Sequence, residues 1–195
     1  MPGIRARLLI AHHKAGLTVP AKEITAGCFL LLTASSWLGK GIAWFENLWR
    51  SEKRYFSHAA VVLAEIDGSM VVLESTWPRV KVTPLAAWLT AEGPGIVCVP
   101  LRVGWTATMN ARAWTFATPF IGRWYNALAI PIMALWEILG KETPPVPQIE
   151  GMVCSVLATA TVEAGLGISD PDPRSIDPDS IPDLQFVGTG WVVAP

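Results

Sequence analysis

The sequence is short of charge. Asp, Glu, Lys and Arg make up 16% of its 195 residues, against about 25% in an average soluble chain, and they nearly cancel to a net charge of −1. With no basic surplus to neutralise phosphates, electrostatics gives no case for a nucleic-acid partner. Cysteine is scarce too. Cys28, Cys98 and Cys154 form no CxxC pair and are odd in number, which argues against a disulfide framework. Long apolar runs are also missing. The longest uncharged stretch, residues 24–39, contains Thr, Ser and Gly and falls short of the ~18 apolar residues a membrane span needs. Near the N-terminus, Leu8-Leu9-Ile10-Ala11 is too short for the apolar core of a secretory signal. The expectation is a cytoplasmic protein without signal peptide or transmembrane helix.

What the chain does contain is apolar. Hydrophobic residues reach 51%, ten of the residues are tryptophan, and the mean hydropathy is +0.39. The length suits one domain over residues 1–195, with 1–26 as an N-terminal extension. So apolar a composition leaves surface that would meet a membrane or a partner protein. The oligomeric state stays open.

Read in order, the pattern is mixed. Residues 27–33 form a short apolar run, a buried strand. Residues 37–50 carry a helical stripe, with Ser35 or Ser36 as cap. Residues 55–64 and 70–76 read as two strands around the Asp67-Gly68 turn. Residues 79–82 suggest another strand, and Thr83-Pro84 a helix start with Thr83 as N-cap. Residues 95–101 form a buried strand containing Cys98. Residues 108–121 are helical but disturbed by Pro119. The apolar stretch 120–139 is expected to border the site, and the proline-rich 141–148 is an extended connector. Residues 184–193 end the chain as a strand. The class is therefore α+β.

Chemistry centres on Cys154. Small and apolar residues follow it up to Gly165, so it falls in the first turn of a helix entered through Gly151 and stopped at Gly165. Unpaired N–H groups and the helix dipole favour a thiolate there. A cysteine nucleophile needs a base, and the base an orienting group. His58 and Glu74, on the two hairpin strands, are the candidates. A strict two-residue turn would put them on opposite faces, and an odd-length loop or a bulge on the same face. No metal site is expected. His12 and His13 are adjacent and diverge, and the proline- and aspartate-rich residues 169–183 lack the glycine of an EF-hand loop. No cofactor is implied.

The order His, acid, Cys resembles the circularly permuted papain-like hydrolases, the permuted branch of the NlpC-type superfamily. That branch includes YiiX-like proteins and relatives of lecithin retinol acyltransferase. The motifs that carry the resemblance are Ser57-His58-Ala59-Ala60-Val61-Val62, Val72-Leu73-Glu74-Ser75, Gly122-Arg123-Trp124-Tyr125-Asn126, Val153-Cys154-Ser155 and Pro182-Asp183-Leu184. They span residues 27–186, and Asn126 stands where the family usually has Asp. The resemblance implies a small antiparallel sheet packed against the cysteine helix, with Cys154, His58 and Glu74 as a triad. It also implies substrate contacts from Tyr125, Trp124 and Ser57, and an amide or peptide substrate, such as a cell-wall peptide. A lipid-like acyl substrate and a non-catalytic module on the same fold are the alternatives.

Overall fold

The computed structural model describes residues 18–33, 56–93, 95–125, 153–168 and 178–193. The helix expected over 37–50, the His12-His13 pair, most of the 120–139 stretch and the 141–148 connector lie outside these residues.

Among the described residues seven strands make one sheet: β1 (Thr18–Val19), β2 (Phe29–Thr33), β3 (Phe56–Ala64), β4 (Met70–Ser75), β5 (Val80–Pro84), β6 (Ile96–Val99) and β7 (Trp191–Val193). Their spatial order is β1-β7-β6-β2-β3-β4-β5. Every pairing is antiparallel except β1 with β7. The α+β class expected from the sequence stands, on a sheet that is larger than foreseen. Its central strands, β2 and β3, are almost continuously apolar because both faces are covered. One face packs Phe29, Leu31, Val61, Leu73 and Val97 against two helices, α2 (Ala107–Ala117) and α3 (Cys154–Leu166). The other packs Leu30, Val62, Val72 and Cys98 around Trp88 of α1 (Leu85–Glu92).

Three local expectations are corrected. Thr83 does not cap α1. Thr83 and Pro84 are the last residues of β5, opposite Val72 and Val71, and Pro84 itself precedes the helix without a side-chain cap. Proline is tolerated there because β5 is an edge strand. The C-terminal strand is confined to Trp191–Val193. Helix α3 does not stop at Gly165 but runs to Leu166, and Gly167 closes it in the left-handed conformation at φ 82°.

Gly165 has a packing role instead. A Cβ there would lie 2.3 Å from Cη2 of Trp105 and 3.1 Å from the Met109 carbonyl oxygen. The missing side chain lets α3 lie close to the start of α2, and this contact fixes the helix that presents Cys154. Gly165→Val is therefore expected to destabilise the fold by about 1–3 kcal/mol through overpacking. A lower denaturant midpoint at unchanged slope would register it. An unchanged midpoint would mean that Trp105 moves aside freely.

Candidate active site

The β3–β4 turn decides where the candidate side chains point. Five residues, 65–69, separate the last ladder pair, Ala64 and Met70. The Asp67 carboxylate accepts from the Ser69 N–H at 2.9 Å, and the Glu65 N–H donates to the Ser69 carbonyl at 2.8 Å. This odd-length loop sets Ala60 opposite Glu74. His58, two residues before Ala60, thus shares a face with Glu74 as its diagonal neighbour, within reach of long side chains. Their side chains meet, with His58 Nε2 2.8 Å from Glu74 Oε2. Of the two arrangements the sequence left open, the one catalysis requires is present.

His58 also lies beside a break in the β2–β3 ladder. Leu32 pairs with His58 and Thr33 with Phe56, so the register shifts between them and Ser57 is left over, half-buried. Bulges of this kind re-aim neighbouring side chains. On its other side β3 pairs with β4 only from Ala60 onward. The Ala59 N–H, one residue short of that ladder, hydrogen-bonds to the Cys154 sulfur.

Cys154 is the first residue of α3. Val153, the N-cap, is extended at ψ 157° and offers no capping side chain. The first-turn N–H groups therefore lack a side-chain acceptor from the cap, and the Ser155 N–H turns to the Cys154 sulfur. Helix α3 is buried on nearly all sides between sheet and α2, which holds the thiol in place. Cys154 is only 7% exposed.

The electrostatics of the three groups are mutual. Burial, the strongest single influence on Cys154, disfavours its thiolate, but the His58 charge and hydrogen bond together with the two backbone N–H groups outweigh it, so its pKa falls below the ordinary 9.0. Burial also opposes charge on His58. The Cys154 thiolate and the hydrogen bonds to Cys154 and Glu74 prevail, and its pKa rises from 6.5 to about 10. For Glu74, 2% exposed, burial is again the largest influence. The His58 hydrogen bond and the charges of His58 and Lys81 overcome it and bring its pKa down from 4.5 to about 2. Its contribution to stability is therefore present above pH 4.5 and lost as pH falls toward 2.

Lys81 is a participant that the sequence reading missed. It sits directly opposite Glu74 on β5, and its Nζ is 3.0 Å from Glu74 Oε1. This contact is an ion pair rather than a well-angled hydrogen bond, because Oε1 is buried without a hydrogen-bond partner among the described residues. Glu92, at the end of α1, is half-buried close enough for the Glu74 charge to act on it; burial first and that charge second raise its pKa.

Among the expected substrate contacts, Trp124 is 52% exposed and forms an isolated bridge with Arg79. The Tyr125 ring packs against the sheet–helix core, and its N–H donates to the Pro78 carbonyl at 2.9 Å. Ser57 adjoins His58 in the chain. His58, Glu74 and Cys154 are the candidates that the fold brings together. Cys28 and Cys98 are buried free thiols in the core around Trp88. No three His, Cys, Asp or Glu side chains among the described residues could together hold a metal ion. None of the described helices is long and apolar enough to cross a membrane.

No family model matches the chain, and no curated protein matches it. Among solved structures it is similar to a crystal structure of the metalloprotein YiiX from Escherichia coli O157:H7 (DUF1105). The two share 17% identity over 87% of this chain and 96% of the other, with a TM-score of 0.49.

Proposed function

We propose that the protein is a cysteine hydrolase of the permuted papain-like kind, cleaving amide or peptide bonds through an acyl-enzyme. One observation carries the reading: a thiol on the first residue of a helix whose N-cap offers no side-chain acceptor meets His58, which is itself hydrogen-bonded to a buried carboxylate at 2.8 Å. A depressed thiol pKa and an elevated imidazole pKa favour a thiolate–imidazolium pair.

The chemistry follows from the roles. The Cys154 sulfur attacks the carbonyl carbon, forming the S–C bond while the carbonyl electrons move to oxygen. The Cys154 N–H, at the positive end of α3, is the proposed donor to that oxyanion. His58 then gives its proton to the leaving amine as the C–N bond breaks. In the second half His58 takes a proton from water, the water oxygen attacks the thioester carbon, and the C–S bond breaks to release the carboxylic acid and restore the Cys154 thiolate beside the His58 imidazolium. Glu74 holds the imidazole by its Nε2, leaving the other ring nitrogen for the sulfur. Lys81 keeps Glu74 ionised. Trp124, Tyr125 and Ser57 are proposed as substrate contacts.

The test is intact-mass analysis after mixing with an activated ester. The expected product is one acyl group, mapped to Cys154 and lost again on standing in water. Acylation elsewhere, or none, would remove the hydrolase reading and leave a non-catalytic binding module. Glu74→Gln keeps a hydrogen-bonding side chain but removes the charge that favours imidazolium. It should retain part of the activity, with a loss on the order of 10- to 1,000-fold in kcat/KM. Full activity in that variant would show that the carboxylate does not support the histidine.

A further inference from the structure

We propose that Arg79, framed by Trp77 and Trp124, reads the substrate, and that it selects acyl substrates carrying an anionic group, carboxylate or phosphate, a few bonds from the scissile carbonyl. This inference rests on the hydrolase reading and names the substrate class of that site.

The three side chains form a platform on the surface. Trp77 and Trp124 are 60% and 52% exposed, and their ring centroids are 6.2 Å apart with the planes tilted by 55°. The Arg79 guanidinium carbon stands 4.9 Å from the Trp124 ring centre. Such stacking steadies the guanidinium plane and leaves its N–H edge open to a two-oxygen anion. Among the described residues no carboxylate pairs with Arg79. Clustered exposed aromatic and arginine side chains of this kind are characteristic of binding surfaces.

The platform is held in place by backbone. The Val80 N–H donates to the Arg123 carbonyl at 2.9 Å, the Gly122 N–H to the Val80 carbonyl at 2.9 Å, and the Tyr125 N–H to the Pro78 carbonyl at 2.9 Å. Its position ties it to the site. Arg79 precedes Lys81 by two residues, so strand alternation gives both the same face, about 7 Å apart. Lys81 contacts Glu74, which holds His58. Trp77 follows Glu74 by three residues. Arg79 and Lys81 supply the positive charge on this margin; of the nearby carboxylates Glu74 is buried and engaged by His58 and Lys81, and Glu92 is half-buried beside Glu74 with its pKa raised. The aromatic faces would take the apolar part of the substrate between the anion and the carbonyl.

The experiment uses chloroacetamide probes that alkylate Cys154, on tethers of three to nine carbons ending in carboxylate, phosphate or methyl. Labelling rates at Cys154 are read by mass. In the wild type one of the anionic series should exceed its methyl partner about tenfold at low salt, with a maximum at one tether length. The ratio should fall toward one in Arg79→Gln and in high salt, and Trp124→Ala should reduce it. The imidazolium also attracts anions, but that preference would survive Arg79→Gln. Whichever anion gives the larger ratio identifies the group read. A wild-type ratio near one, or a ratio unchanged by Arg79→Gln, overturns the platform while labelling by the methyl probe leaves the cysteine reading intact. Absence of Cys154 labelling by every probe removes both.

Discussion

Cys154→Ala is expected to reduce hydrolysis to the uncatalysed background and to abolish acyl-enzyme formation, the largest effect of any single substitution in this protein. In the proposed mechanism the sulfur forms the bond to the acyl group. Cys28 and Cys98, the other thiols, are buried in the core around Trp88. Loss of stability would not explain the result. Cys154 is at the first residue of α3, and alanine fits a helix well. Comparison of kcat/KM and thermal midpoint in the two proteins would separate the effects. Appreciable turnover in a folded Cys154→Ala protein would contradict the nucleophile assignment.

His58→Ala should come next, with a loss on the order of 10³- to 10⁶-fold. In the proposed mechanism the imidazole acts twice, first sustaining the thiolate and then protonating the leaving amine. Its removal also takes away the hydrogen bond to the buried Glu74 carboxylate, 2% exposed, and leaves it the Lys81 ion pair. A buried carboxylate that loses one of its two partners is destabilised, so a lower thermal midpoint should accompany the kinetic loss. Because the residues act as a unit, adding Glu74→Gln to His58→Ala should cost little more activity. Fully additive losses in the double variant would mean that Glu74 acts through some other group.

The sequence carried the outline of this site but not its closure. Cys154 at a helix start, His58 and Glu74 on paired strands, and the mixed class were all visible in local pattern. The face shared by His58 and Glu74 was not, because it depends on whether the turn takes two residues or five. Asp67-Gly68 is compatible with both, and the choice is made by hydrogen bonds within residues 65–69. Lys81 was hidden for the same reason: an exposed lysine on an edge strand is unremarkable until the register puts it opposite Glu74. The Ala59 N–H left no trace in the sequence, since any residue but proline would supply it. Where local signals misled, long-range packing had won. Thr83-Pro84 has the form of a helix cap, yet pairing with β4 draws both residues into the sheet. Gly165 looks like a helix stop, yet its missing side chain answers to Trp105, sixty positions away.

The account's central claim is that Cys154 is ionised by His58 in the resting protein. The direct measurement is the rate of Cys154 alkylation by iodoacetamide across pH, in the wild type and in His58→Ala. The wild-type rate should already be substantial well below the ~8.5 of a free thiol and should hold a plateau through neutrality. It should change again only near pH 10, where His58 loses its proton. In His58→Ala the plateau should vanish, leaving one rise at or above the free-thiol value, since burial then opposes the thiolate without the imidazolium to offset it. A wild-type profile with a single rise near pH 8.5, identical in the variant, would contradict the thiolate–imidazolium pair and the hydrolase built on it.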